Sequence, residues 1–232
     1  MESAHPGPGK MDIPSNIALI ETMHASSTGE VALLELHLDR LLRSAQTLGY
    51  ETTGREAIRS RVIGHLFSHP MPGRQQRVRL LMDHVGQIQI ESYALTVLSD
   101  LPLVAISPLR LDSSAFFLQH KTTYRPWYAD ATSWLGSHPN FFDLIFLNEK
   151  NEVCEGSRSN IYLLQDGVWV TPPLSCGLLA GVLRRQLLAS GKVVERTIPA
   201  SALEATHAQL RLSNALRGWF DVQLTRLPVV PD

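Results

Sequence analysis

The sequence predicts a mixed α/β (α+β) fold of two α/β subdomains, residues 1–105 and 106–232. Three observations carry that expectation. Apolar spacing switches repeatedly between a period of two and a period near 3.6, so strands and helices share the chain. Short turn clusters separate paired strand-like runs, most clearly Asp166-Gly167 between NIYLL and VWVT. A Pro-punctuated stretch over residues 107–121 divides the halves without an internal repeat or long linker.

Residues 1–14 read as a flexible Pro/Gly-rich lead-in. Residues 17–24 (IALIETMH) and 31–36 (VALLEL) then read as two strands around the turn ASSTGE. In residues 38–48, Leu38, Leu41, Leu42, Ala45 and Leu48 keep helical spacing, and Gly49 ends the helix. A second helix is expected over 55–67, ahead of Pro70, and strands over 77–82, 87–93 and 101–106. Residues 107–121 read as irregular and 127–134 as a helix. Hairpins follow over 143–147 with 152–155, and over 160–164 with 168–171, the latter stopped by Pro172-Pro173. Gly181 opens a helix closed by Gly191, and strands at 193–197 and 210–212 flank a short helix at 201–205.

Composition narrows the function. The chain has 232 residues, 44% hydrophobic and 19% charged, with formal net charge -1, which excludes a disordered protein. Without a basic excess, nucleic-acid binding has no compositional support. No stretch approaches the roughly 18 apolar residues of a membrane span, and the N-terminus lacks the apolar run of a secretory signal. Two cysteines are too few for a disulfide framework, so a cytoplasmic, reducing setting is expected, with Cys154 and Cys176 as packing residues. His65 and His69 share a helix face, but no third metal ligand accompanies them and no metal is expected. Ser157 and Ser175 lack a nucleophile-elbow context.

Four elements carry chemistry. Lys121 follows an apolar run and precedes a helix; buried, its amine would be neutral and able to form a Schiff base or move protons, and exposed it would cap the helix. Glu155 stands at a strand end, where a carboxylate could hold a protonated ring nitrogen or simply mark an edge strand. The segment TPPLSCGLLAGVLRR runs from strand through turn to helix, leaving the amides of Val182 and Leu183 at the positive end of the helix dipole, a phosphate site in form. Arg40, on the first helix, could reach a phosphate with its fork or remain solvated like Arg43.

Taken together, these residues give the chain a resemblance to the class IV aminotransferase family, the fold-type IV pyridoxal-phosphate enzymes. The resemblance runs from about residue 18 to residue 219, on HLDRL at 37–41, Lys121, EGSRSNIY at 155–162, TPPLSCGLLAGVLR at 171–184 and LSNALRGW at 212–219. The separation of 34 residues between Lys121 and Glu155 also fits. The resemblance implies pyridoxal 5'-phosphate in the cleft between the two subdomains. Lys121 would bind it covalently and then transfer protons, and Glu155 would pair with the pyridine nitrogen. Arg40, Gly181 and the Val182 and Leu183 amides would hold the phosphate, with Ala215 and Asn214 completing that side and Asn160 shaping the turn beneath. LSNALRGW and KTTYRPWY resemble the 4-amino-4-deoxychorismate lyase branch, whose members also occur fused behind aminodeoxychorismate synthase component I. That branch implies release of pyruvate and 4-aminobenzoate for folate synthesis, with Arg125, Arg158 and Arg217 as candidates for substrate carboxylates. It also implies a homodimer and functional pairing with the synthase. The alternatives are an aminotransferase acting on a branched-chain or D-amino acid, and a non-catalytic relative that binds cofactor or a partner.

Three departures bear on that choice. The strand and Gly-rich segment usual before LIETM are missing, which shortens part of the expected pocket. The tyrosine frequent five residues after the lysine is Pro126, and the hydroxyl frequent at position 183 is replaced by Leu183. These weaken the aminotransferase alternative more than the lyase.

Overall fold

A computed structural model describes residues 16–98, 101–203 and 208–227. The lead-in expected over residues 1–14 lies outside the described residues, as do residues 204–205 of the short helix expected at 201–205, of which a 3-10 turn, Ala200–Leu203, is seen.

The fold is mixed α/β, as the periodicity requires. β1 (Leu19–Ala25) alternates buried and half-buried residues, the mark of a strand with one face on a core. It pairs antiparallel with β2 (Gln76–Met82), which pairs antiparallel with β3 (Ile88–Ala94), giving a three-stranded sheet in the order β1-β2-β3. The strand expected over residues 31–36 is therefore corrected: β1 takes its partner from residues 76–82, and α1 (Leu34–Leu48) begins inside VALLEL. Leu34, Leu38, Leu41, Ala45 and Leu48 recur every three or four positions and are all buried, so that apolar run is the first turn of a helix face. Gly49 closes α1 in the left-handed conformation, φ 68°, its amide donating back to the Ala45 and Gln46 carbonyls. α1 and α2 (Arg55–Ser68) supply Leu38, Leu41, Ile58 and Val62 to one apolar core with Met23, Val78 and Leu80 of the sheet.

The second sheet has eight strands: β4 (Leu103–Leu111), β5 (Phe141–Asn148), β6 (Val153–Gly156), β7 (Asn160–Gln165), β8 (Val168–Thr171), β9 (Val194–Glu195), β10 (Leu210–Asn214) and β11 (Gly218–Leu224). Their order is β6-β5-β4-β11-β10-β7-β8-β9. Two expectations change here. Strand β4 runs on through residues 107–111, because a register shift between Ile106 and Arg110 absorbs Pro108, which has no N–H to give the ladder. β11, not foreseen, sits between β4 and β10; only Val222 on it is fully buried, so its sequence carries weak alternation. The strand expected at 193–197 shrinks to two residues.

The eight-stranded sheet curls. β6 and β7 lie five places apart in the strand order, yet the Gly156 amide donates to the Ser159 carbonyl at 2.7 Å across the tight turn that joins them. This closure sets Glu155 beside Asn160. α3 (Ala129–Ser137) packs on β5, and α4 (Val182–Ala189) packs on β10 and reaches α1 through an Arg185–Asp39 ion pair of 3.0 Å.

The turn that leads toward α4 depends on Gly177, whose φ is 85° and where a Cβ would lie 2.6 Å from Ser113 Cα. Gly177→Ala combines backbone strain with overpacking and is expected to cost about 2–4 kcal/mol. At roughly 2–4 °C per kcal/mol for a chain of this size, calorimetry should show Tm lower by on the order of 4–16 °C. An unchanged Tm would mean that this approach is looser than described.

Candidate active site

A cavity of about 420 Å³ opens between the two sheets, within the usual range for small-molecule sites. Lys121 faces it. The lysine segment is pinned against β1: the Ile20 amide donates to the Lys121 carbonyl at 2.8 Å and the Thr123 amide to the Ala18 carbonyl at 2.8 Å. Lys121 keeps partial exposure through the cavity, yet its amine is surrounded densely enough to behave as an interior group. Burial, then the nearby Arg40 and Arg125 charges, bring the amine down to about 7, with Glu21 and Glu155 opposing. A substantial neutral fraction is thus present near neutrality, the form a nucleophile or base requires.

Glu155, at the end of β6, is 5% exposed. Tyr128 Oη donates to its Oε1 at 2.7 Å and Asn160 Nδ2 to its Oε2 at 3.2 Å. Burial pushes the carboxyl up to about 7, against the Tyr128 bond, the Leu179 amide, Arg125 and Lys121. Asn160 Nδ2 also donates to the Leu179 carbonyl at 3.0 Å, tying β7 to the loop before α4. At Gly181, which precedes α4, a Cβ would fall 1.9 Å from Asn160 Oδ1, so glycine alone allows that approach. No side chain caps α4, and its first amides, Val182 and Leu183 among them, have no partner within the helix.

Arg40 is placed by a buried ion-pair network. Its Nε donates to Glu21 Oε1 at 2.8 Å, one terminal nitrogen to Glu21 Oε2 at 2.6 Å, and the other to the Ala180 carbonyl at 3.4 Å. His37 Nδ1 shares Glu21 Oε2 at 2.6 Å. Burial alone would raise the Glu21 carboxyl, but Arg40 and then His37 outweigh it and hold it at about 2.

Further groups line the same space. Ala215 does so on the β10–β11 turn, whose shape Asn214 fixes: Asn214 Oδ1 accepts from the Leu216 amide at 3.1 Å and the Arg217 amide at 2.8 Å. Arg125, Arg158 and Arg217 all border the cavity, and so does Arg77 of β2. Among the described residues, none of these four takes part in an ion pair. Arg125 donates to the Ser157 carbonyl and lies 4.7 Å from the Tyr128 ring centre. Arg217 donates to Thr96 Oγ1 at 3.1 Å. Arg158 is presented by a turn built on Asp143, which is fully buried and accepts from Ser157 Oγ and Ser159 Oγ at 2.6 Å each and from the Arg158 amide at 3.1 Å. A Cβ at Gly156 would lie 2.3 Å from that carboxylate.

The residues singled out in the sequence therefore converge, each on or beside one cavity. Sequence reasoning missed Glu21, Arg77, Tyr128 and Asp143. Asp143 and Glu21 carried a signal of sorts, as single acids inside apolar strand runs, DLIFL and LIETM. The remaining candidates are structural here: Ser157 serves Asp143, His65 and His69 stack at 4.4 Å between ring centres, and Cys154 and Cys176 are buried free thiols. Among the described residues no helix is long and apolar enough to cross a membrane.

Fold and site together define a pyridoxal-phosphate enzyme, and the comparisons agree. The profile of the amino-transferase class IV family matches residues 18–224, and the chain belongs to that family, whose members use pyridoxal phosphate. It is accordingly an enzyme of lyase or aminotransferase type. A Schizosaccharomyces pombe protein provisionally named aminodeoxychorismate lyase is 28% identical over 171 residues, 72% of each chain. The structure of a provisionally named amino-acid aminotransferase from Mesorhizobium loti superposes with a TM-score of 0.81 at 30% identity, covering 90% of this chain and 100% of that one. The 4-amino-4-deoxychorismate lyase of Pseudomonas aeruginosa shares the fold, with a TM-score of 0.73 at 20% identity over 89% of this chain and 82% of its own. The residues present fit the cofactor: an amine of lowered basicity, a buried carboxylate for a ring nitrogen, and a guanidinium with free helix amides for a phosphate.

Glu21→Gln removes one member of a buried pair and leaves Arg40 uncompensated, a loss of about 3–5 kcal/mol. The sign follows from a folded value near 2 against 4.5 ordinarily: the Glu21 contribution is complete above about 4.5 and fades as pH falls toward 2. Urea unfolding should show the mutant's deficit at neutral pH and its shrinkage through that window.

Proposed function

We propose that the chain is a 4-amino-4-deoxychorismate lyase, releasing pyruvate and 4-aminobenzoate. The observation that carries this reading is the cavity's charge: among the described residues, Arg77, Arg125, Arg158 and Arg217 border it without a carboxylate partner, and Glu155 is the one carboxylate that lines it. One phosphate does not need so many guanidinium groups, whereas a substrate with two carboxylates does, and the relative named as such a lyase supports the same choice.

Each group then has a task. Arg40, Gly181, the Val182 and Leu183 amides and Ala215 bind the phosphate, with Asn214 holding the turn that presents Ala215. Glu155 pairs with the ring nitrogen, and Asn160 keeps Glu155 and the Leu179–Gly181 loop in register with it. When bound, pyridoxal 5'-phosphate supplies an electron sink that acidifies the C–H bond beside the substrate amine. Lys121 Nζ would take the proton from the amine-bearing carbon. Arg125, Arg158 and Arg217, with Arg77, orient the carboxylates so that the enolpyruvyl group lies free to depart, and its loss aromatises the ring. Protonation of the departing enol by the Lys121 ammonium or by solvent gives pyruvate, so the cleavage needs no oxidant. The cavity would lie between subdomains 1–105 and 106–232, and a homodimer would complete its open side; functional pairing with aminodeoxychorismate synthase would deliver the substrate. A second reading, an aminotransferase acting on a branched-chain or D-amino acid, is favoured by the Mesorhizobium loti structure and by the apolar wall of Phe117, Leu118, Trp127 and Phe142.

Incubated with aminodeoxychorismate and no amino acceptor, the enzyme should yield pyruvate and 4-aminobenzoate in equal amounts; product that depends on an added keto acid would decide for the aminotransferase. Lys121→Ala should lose both turnover and the visible absorbance of lysine-bound cofactor. Arg158→Ala and Arg217→Ala should each raise KM by about 10–100-fold, the loss of one charged hydrogen bond, with the cofactor spectrum unchanged.

A further inference from the structure

We infer that Tyr128 is a positioning residue that keeps Glu155 anionic and aimed into the cavity, and so sets how acidic a medium the enzyme tolerates before it releases its cofactor. This rests on the reading of Glu155 as the partner of the ring nitrogen. The sequence offers no hydroxyl five residues after the lysine, where Pro126 stands. The structure places a phenol on the carboxylate from seven residues after it, at 2.7 Å. Tyr128 is 3% exposed and borders the cavity. Its ring is fixed edge-on to Phe146 at 4.9 Å between centres, with the Arg125 guanidinium on it at 4.7 Å. Its carbonyl accepts from Thr132 Oγ1 at 2.8 Å in the first turn of α3. The hydroxyl has little freedom to point elsewhere.

The direction of the bond matters. Burial raises the phenol well above its ordinary value, and Glu155 beside it adds to the rise, so Tyr128 remains a donor at any pH the protein survives. A carboxylate accepts from it; a protonated Glu155 would compete as a donor and could no longer balance a ring N–H⁺. Each oxygen of a carboxylate has two lone-pair sites, so with Tyr128 on Oε1, Asn160 on Oε2 and the Leu179 amide also donating, Glu155 retains room for one more donor from the cavity. The other groups facing Glu155 are Lys121 and Arg125 from the segment following residue 120, the Leu179 amide from the loop before α4, and Cys154 on its own strand. Lys121 is committed to the cofactor and Arg125 reaches the Ser157 carbonyl, which leaves Tyr128, Asn160 and the Leu179 amide as the fixed donors, with Tyr128 making the shorter of the two side-chain bonds. The same bond joins the lysine-bearing segment to the carboxylate-bearing strand, so the two attachments of the cofactor move as one.

Tyr128→Phe preserves the packed ring and deletes the donor. The readout is binding of pyridoxal 5'-phosphate to the apo-protein, followed by quenching of tryptophan fluorescence from about pH 6 to pH 9, a range that brackets the Glu155 value near 7. The expected result is an acid limb of affinity moved about one pH unit upward, or about tenfold weaker binding at the acid end, with little change at the alkaline end. In a Glu155→Gln background, which has no carboxylate to titrate, Tyr128→Phe should add no pH-dependent change. A Tyr128→Phe profile parallel to wild type, or a shift that persists in the Glu155→Gln background, would overturn the inference while leaving the proposed reaction intact. A wild-type pH profile in Glu155→Gln itself would overturn the Glu155 assignment and this inference with it. Binding does not depend on which reaction follows, so none of these outcomes bears on lyase against aminotransferase.

Discussion

Everything at this site follows from placing charge where water is scarce. A carboxylate cannot be left buried without compensation, and three are buried here. Glu21 on β1 is met by Arg40 and His37, Asp143 on β5 by two serine hydroxyls and an amide, and Glu155 on β6 by a phenol and an amide side chain. Each cluster fixes a different wall of the cavity. The Glu21 cluster locks Arg40, the Asp143 cluster shapes the turn carrying Arg158, and the Glu155 cluster faces Lys121. Because each acid sits on a strand of a sheet, the positions of these acceptors are inherited from backbone hydrogen bonds rather than from flexible loops.

The same scarcity of water explains why an amine and a carboxylate both drawn to about 7 can coexist. Burial disfavours the charged form of each, moving Lys121 down and Glu155 up, and their mutual attraction only partly restores them. The protein thus holds an acid and a base near neutrality in one enclosure.

Much of this was legible in the sequence. Periodicity identified both helices of the first half and the hairpins of the second, and the spaced motifs selected residues that the fold gathers around one cavity. What escaped had physical reasons. VALLEL is equally apolar as a strand or as a helical turn, and only its long-range alternatives, β2 beside β1 and Leu34 on the α1 face, decide between them. β11 has one fully buried residue and therefore little pattern to read, although it lies inside the sheet. Pro108 looks like a strand breaker until a bulge accommodates it. Tyr128 and Asp143 act through partners far along the chain, and a residue's partner is not written beside it.

The cavity also alters what a formal net charge of -1 means. Arg40, Arg77, Lys121, Arg125, Arg158 and Arg217 all line it and, among the described residues, Glu155 is the one acid beside them, so the remaining side chains of the sequence sum to a negative formal charge. Averaged over the chain, the two regions cancel; in space they do different work. The field converging on the cleft draws small anions from beyond contact distance, more weakly as salt rises. A chain that is almost neutral as a whole can therefore still gather an anionic substrate faster than its net charge suggests, an advantage that salt would erase.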